Sequence, residues 1–420
     1  MKISLILLIS ILGSTAKSES IDDYLRKKIE LFKLKPIQKI SKNPNIAQVE
    51  LGRRLFIEPN LSGNKNINCM TCHHPRTGTS DLRPLSRTED GRNILRRNSQ
   101  AIFNLKDKSF MFWDGRVHYD SKAKTFSTPG TPLPPSITNV LTSSLAAQAL
   151  FPIVSSEEMK GKPGENEIAN AQNNFEAWQR VVERLMNEQK KNPRHKTYSE
   201  LFAQAYPKTK LEDINIGHVG EAIAAFEIEE FQSSDTPYFR YLNGDRSALS
   251  EQEKRGLIVF VESGKCITCH NGPDLGNNEL FTSVAVPQWG AKPISPDKGR
   301  GEITHDFLKN YFFRTPSLIN IDLTAPYMHN GAFANLSEVI NHYNNIETSL
   351  KNYVISGDVE INLPVDVEVN RDPKHLKEVL NSIEFPFLRY GLNLSEKEKK
   401  DLEAFLSNAL SDPRWKSSIQ

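Results

Sequence analysis

Cys69-Met-Thr-Cys72-His73 and Cys266-Ile-Thr-Cys269-His270 are two copies of one pattern, and together they use all 4 cysteines of the 420-residue chain. The spacing suits covalent attachment of haem c. Each thiol can add to a porphyrin vinyl group, and the adjoining imidazole then falls beneath the iron as proximal ligand. Other readings explain less. A zinc site made of two Cys-x-x-Cys pairs usually sets them ~15–20 residues apart. A thioredoxin-like pair needs only one such motif, and structural disulfides leave both histidines unaccounted for. Two covalently bound haem c groups use every patterned residue, with zinc or disulfides as the alternatives.

The N-terminus reads as an export signal over residues 1–16. Lys2 supplies the positive end, Ile3 to Leu12 an apolar run, and Gly13-Ser14-Thr15-Ala16 a small-residue cleavage site. The run is shorter than the ~20 residues a membrane helix needs, and no later segment is longer and as apolar. The expectation is an exported, soluble protein of the bacterial periplasm without a membrane span. Lys+Arg 53 against Asp+Glu 51 gives a formal charge of +2, which argues against nucleic acid as a partner.

A weak repeat precedes the two motifs. Leu51-Gly52-Arg53-Arg54-Leu55-Phe56 leads towards Cys69, and Arg255-Gly256-Leu257-Ile258-Val259-Phe260 leads towards Cys266. Ser250 with Glu253, Asn335 with Glu338, and Ser395 with Glu398 form capping-box patterns ahead of apolar runs. Residues 175–189 and Val219, Ala222, Ile223 and Phe226 also have helical periodicity. Strand signals are sparse, and Asn271 to Pro326 reads mostly as loop. The fold class is therefore mainly α: two tandem cytochrome-c-like domains with long haem-wrapping loops. The basic stretch Lys190 to Lys196 is the candidate linker, giving an N-terminal haem domain over 17–195 and a C-terminal one over 196–420.

Further motifs follow in order: Arg97-Asn98, Phe112-Trp113-Asp114-Gly115-Arg116, Gln148 to Met159, Arg314-Thr315-Pro316, and Ala325-Pro326-Tyr327-Met328-His329-Asn330-Gly331. With both Cys-x-x-Cys-His motifs, they make nearly the whole mature chain resemble the bacterial dihaem cytochrome c peroxidases and their relative MauG. That resemblance implies peroxide chemistry at the N-terminal haem and electron passage or storage at the C-terminal one. It implies that Trp113 lies between the haems; read alone, Trp113 is an ordinary core aromatic. Gln148 and Glu158 correspond to the family's distal pair, an amide orienting peroxide and a carboxylate moving its proton. The adjacent Glu157 competes for that role, and a solvated Glu-Glu pair is the plain alternative. Asn98, with the carbonyls of Thr324 and Pro326, matches the family's calcium site.

Two departures from the peroxidases stand out. The stretch Gly78 to Asn98 has no histidine, where many of them close the resting first haem with one, so an open distal position is expected. The helix after Asn335 has no methionine; Tyr343 occupies the distal slot of the second haem, as a tyrosine does in MauG, with Met328 or water as alternatives. His342 reads as pointing off the apolar face. Three functions follow. One is reduction of hydrogen peroxide with electrons from a small periplasmic donor protein. A second is MauG-like oxidation of residues in a partner protein, and a third is electron carriage or sensing without catalysis. A homodimer accords with the family.

Overall fold

The computed structural model describes residues 19–37, 45–130, 132–192, 194–355 and 363–419. The export signal and its cleavage site lie outside them. Helices dominate, and strands are short: an antiparallel β1 (Phe110–Met111), β2 (Val117–Asp120) and β3 (Thr125–Ser127), and the pairs β4 (Asn277–Thr282) with β6 (Phe313–Thr315) and β5 (Trp289–Ala291) with β7 (Val367–Val369). The three strands β4 to β6 fall inside the 271–326 segment read as mostly loop. Their residues pair across long separations, which local patterning does not register.

The repeated hexapeptides are helices, Ile46–Phe56 and Glu251–Val261. Each packs against a helix far along the chain, Ile216–Glu230 and Glu396–Ala404 respectively. Their glycines explain the repeat. A Cβ on Gly52 would sit 1.8 Å from the Ala222 carbonyl oxygen, and one on Gly256 would sit 2.0 Å from that of Asp401. Only glycine permits this backbone approach, which outweighs its ~1 kcal/mol helix penalty. The caps form as read: Ser250 and Ser395 each accept from the N–H three residues on, and Asn335 accepts from Glu338 at 2.9 Å.

Two main apolar cores result, each joined to one Cys-x-x-Cys-His. The first gathers Val49 to Phe231 and, from the C-terminal end, Trp415. The second gathers Tyr238 to Leu410 with Leu25, Leu34, Leu85 and Ile94. The division expected at 195/196 therefore falls between Phe231 and Tyr238 instead. Tyr198, Phe202, Val219 and Ile223 all belong to the first core. The basic run taken for a linker is a solvated turn held locally, with Lys190 on Glu200 at 3.0 Å and His195 on Glu188 at 3.3 Å. The ends cross over. Helix Ile21–Leu31 docks on the second core through Lys254–Asp22 at 3.0 Å and Tyr24 to Glu262 at 2.5 Å. Trp415 meets Phe103 of the first edge-on and Phe231 at a tilt.

Candidate haem sites and the junction between them

Asn68 is extended and forms a capping box with Thr71, which starts the one-turn helix Cys69–Cys72. The chain then leaves the helix at His73, whose N–H donates to the Cys69 carbonyl at 2.9 Å. His73 Nδ1 lies 3.0 Å from the Thr79 carbonyl oxygen. A carbonyl only accepts, so Nδ1 carries the proton and Nε2 keeps its lone pair. The second motif repeats this: a 3-10 turn over Cys266–Thr268, His270 N–H to Cys266 O at 2.9 Å, and His270 Nδ1 to Leu275 O at 2.7 Å. Burial lowers the pKa of both imidazoles, holding them in the neutral form that binds iron.

The donor chemistry discriminates between the readings of the cysteines. All four are free. Burial pushes the thiols of Cys69, Cys72 and Cys266 up to about 12 and that of Cys269 to about 11, so each turn presents neutral thiols. Among the described residues no group of three or more His, Cys, Asp or Glu could hold a metal ion. Two turns, each presenting two neutral thiols and an imidazole lone pair, the second of them beside an apolar cavity, fit haem.

In the first lobe, Ser143 caps the short helix Ser144–Gln148, and Gln148 is half-buried at its end. After a 3-10 turn at Pro152–Val154, the Ser155 carbonyl accepts the N–H groups of Glu158, Met159 and Lys160 at 3.2, 3.1 and 2.9 Å. This wrap turns the two adjacent glutamates apart: Glu157 is exposed and Glu158 is half-buried. Burial raises the Glu158 carboxyl, while the Arg116 charge and the Ser155 hydroxyl act against it. Glu158 also helps raise the Cys72 thiol, which puts it beside the first motif. The histidine-free loop is tied to this wall, with Glu89 N–H on Glu157 O at 2.9 Å and Lys162 on Asp90 at 2.6 Å.

Trp113 lies in the β1–β2 turn, which rests on the second lobe. A Cβ on Gly115 would meet the Phe281 ring of β4 at 2.3 Å. The indole N–H donates to Asn98 O at 3.0 Å, and the Trp113 carbonyl accepts Arg314 N–H at 2.8 Å. A charge network pins this turn. Arg97 grips Asp297 through Nε and Nη2 at 2.7 and 2.9 Å and donates to Asp114 at 2.5 Å. Arg116 also reaches Asp114, at 3.0 Å, with its guanidinium over the Phe112 ring. Burial alone would raise both aspartates; the arginines hold them below the ordinary carboxylate range. Arg97, Asp114 and Arg116 were in motifs noted from the sequence, but their mutual contact was not legible there.

Trp113, Asn98, Thr324 and Pro326 line the same cavity as Cys266, Cys269 and His270. Asn98 donates through Nδ2 to Arg83 O at 2.7 Å, which leaves its Oδ1 as an acceptor. Helix Leu336–Asn344 turns Leu336, Val339, Ile340 and Tyr343 into this cavity, the face read from its periodicity, and Met328 lines it too. Burial raises the Tyr343 phenol, helped by Cys269 and Cys266. His342 points off this face, as read, yet it is fully buried, with its two ring nitrogens on Ser349 Oγ at 2.9 Å and Val284 O at 2.8 Å. Both nitrogens are occupied, so it is no competing ligand.

One buried acid escaped the sequence reading. Glu227 is 8% exposed, its Oε2 has no hydrogen-bond partner, and burial lifts it to about 8. It contributes to raising Cys69. The signal was present: Glu227 follows Ile223 by four on an apolar helix face.

Residues 46–247 match the di-haem cytochrome c peroxidase family. Cytochrome c551 peroxidase of Pseudomonas aeruginosa is 32% identical over 70% of this chain and 70% of its own. The methylamine utilization protein MauG of Methylorubrum extorquens is 28% identical over 87% of this chain and 79% of its own. Among solved structures, a MauG-like protein associated with microbial copper homeostasis superposes with a TM-score of 0.63 at 26% identity, covering 92% and 96% of the two chains. The diheme peroxidase BthA of Burkholderia thailandensis, at 19% identity, shares the fold with a TM-score of 0.62 over 89% and 88%. With a relative this similar over more than two thirds of both chains, the protein belongs to the dihaem cytochrome c peroxidase family and is a haem-dependent peroxidase by that membership.

Proposed function

We propose that the protein reduces hydrogen peroxide in the periplasm at an N-terminal haem attached to Cys69 and Cys72 and ligated by His73. Electrons arrive from a small donor protein through a C-terminal haem on Cys266, Cys269 and His270. Each lobe then serves as a cytochrome-c-like unit around one haem. The bound haems supply the iron and the redox equivalents; the chain supplies the proton chemistry. Glu158 beside Cys72 is the observation that carries this reading. Burial, which favours the neutral acid, outweighs the Arg116 charge, which favours the carboxylate, and so raises this carboxyl in the direction a proton-transfer group needs. Gln148, at the end of the neighbouring helix, orients the peroxide. The histidine-free loop, tied back to Glu157, leaves the distal side open. Trp113, held between Asn98 and Arg314, links the two lobes electronically. Among the described residues no helix is long and apolar enough to cross a membrane.

Glu158→Gln keeps the shape and removes the proton acceptor. Peroxide turnover with a reduced small cytochrome should fall by roughly 10²–10⁴-fold, with haem absorption and content unchanged. Unaltered turnover would sink the assignment. A second reading is favoured by Tyr343, which lies against the second motif where the peroxidases carry methionine. A phenolate on the second iron would favour its higher oxidation states and suit MauG-like delivery of oxidising equivalents to residues of a partner protein. Poor cytochrome turnover with a long-lived oxidised state after peroxide would select it. Asn98 Oδ1 with the carbonyls of Thr324 and Pro326 would hold a calcium ion between the lobes.

A further inference from the structure

Tyr311 lines the second-motif cavity together with Cys269, His270 and Tyr343, and is 5% exposed. Its backbone is in the left-handed region, φ 66°, which is costly for an aromatic residue, and its N–H is held by Lys298 O at 2.8 Å. This posture directs the hydroxyl away from the cavity into the helix Pro373–Asn381. There it donates to Glu378 Oε2 at 3.3 Å, and it lies 3.5 Å from His375 Nδ1, the two rings meeting edge to face. His375 is buried and its Nε2 has no partner. A bare lone pair is easier to leave unpaired there than an N–H, so His375 carries its proton on Nδ1 and donates it to the Tyr311 oxygen. Glu378 is exposed. The phenol thus has its ring at the cavity, a fixed donor on its oxygen, and a solvent-connected carboxylate to take its proton.

We propose that Tyr311 is a proton-coupled redox site that stores one oxidising equivalent outside the second haem; this rests on the peroxidase reading above. Reduction of one peroxide to two waters consumes two electrons and two protons. Tyr311 gives one electron inward and one proton outward to the Glu378 carboxylate, becoming a neutral tyrosyl radical. The bound haems would supply the other electron and solvent the two protons that the peroxide takes up, and the external donor would later restore both electrons. Burial, with Glu378 adding to it, pushes the phenol up to about 12, so it is protonated beforehand and the carboxylate is needed. Tyr353 makes a contrast: its hydroxyl donates to the Ala332 carbonyl, which cannot accept a proton.

The test is rapid-freeze paramagnetic resonance of the dihaem protein, without donor, after one equivalent of hydrogen peroxide, with ring-deuterated tyrosine to identify the radical. A tyrosyl signal is expected in the wild type and its loss in Tyr311→Phe, with haem content and absorption intact. Glu378→Gln should slow its appearance by roughly a hundredfold, the low end for losing a positioned base. An unchanged signal in Tyr311→Phe overturns the proposal. So does a wild type whose haem absorption responds to peroxide without a tyrosyl radical. If peroxide leaves the absorption unchanged, the peroxidase reading itself fails and the Tyr311 site with it.

Discussion

Replacing Glu227 by glutamine should make the protein more stable at alkaline pH, by an amount that depends on pH in a defined way. Burial raises this carboxyl from 4.5 to about 8, and it is 8% exposed, so solvent screening takes little from the effect. At about 1.4 kcal/mol per pH unit the rise corresponds to about 5 kcal/mol. The sign follows from which state binds the proton. Between the unfolded and folded values the native protein holds a proton that the unfolded chain has released. The stabilisation is therefore complete below the unfolded value and is lost progressively as the pH climbs to about 8. Glutamine has no such dependence. The difference in unfolding free energy, glutamine variant minus wild type, should climb by about 1.4 kcal/mol per unit through that window and level off above it. Guanidinium unfolding of both proteins across the window, followed by tryptophan fluorescence, measures this directly, because all other titrating groups cancel in the difference. A difference that stays constant with pH would refute the argument and mean that Glu227 finds a charge partner in the folded protein.

Three further outcomes are expected. Arg97→Met takes the close partner from the buried Asp297 carboxylate and leaves Asp114 to Arg116 alone, and should cost ~3–5 kcal/mol in denaturant unfolding; a loss under 1 kcal/mol would mean the network is not tightening the lobe junction. Tyr343→Phe should alter the absorption and paramagnetic spectra of the second haem only, and unchanged spectra would move the distal position to Met328 or water. Metal analysis should find about one calcium per chain in the wild type and none in Asn98→Ala, and a calcium-free native protein would remove that site.

Much of the chemistry was legible because it is local. The Cys-x-x-Cys-His turns close within five or six residues of their histidines, and the capping boxes at Ser250 and Ser395 and the cap at Asn335 within three. The cavity-facing stripe Leu336, Val339, Ile340 and Tyr343 follows from helical periodicity alone. The resemblance of ordered motifs pointed to Glu158, Gln148 and Trp113, with the spacing from Gln148 and the following Met159 favouring Glu158 over Glu157. The fold adds a physical difference between the two: the Ser155 carbonyl gathers three successive N–H groups, which leaves Glu158 half-buried and Glu157 exposed.

What the amino-acid sequence determined by itself was the cofactor chemistry, the helices and their caps, since each depends on neighbours a turn or less away. Only the tertiary structure decided where one lobe ends and the next begins. The basic run at Lys190 to Lys196 looks like a linker, but helices Tyr198–Ala205 and Ile216–Glu230 return to the first core. They do so because Gly52 lets two backbones meet across more than 160 residues of chain. The Arg97 network and the Tyr311–Glu378 pair are likewise products of packing. Their partners are far apart in sequence, and only burial, by removing water as a competitor, makes those charges and hydrogen bonds choose one another.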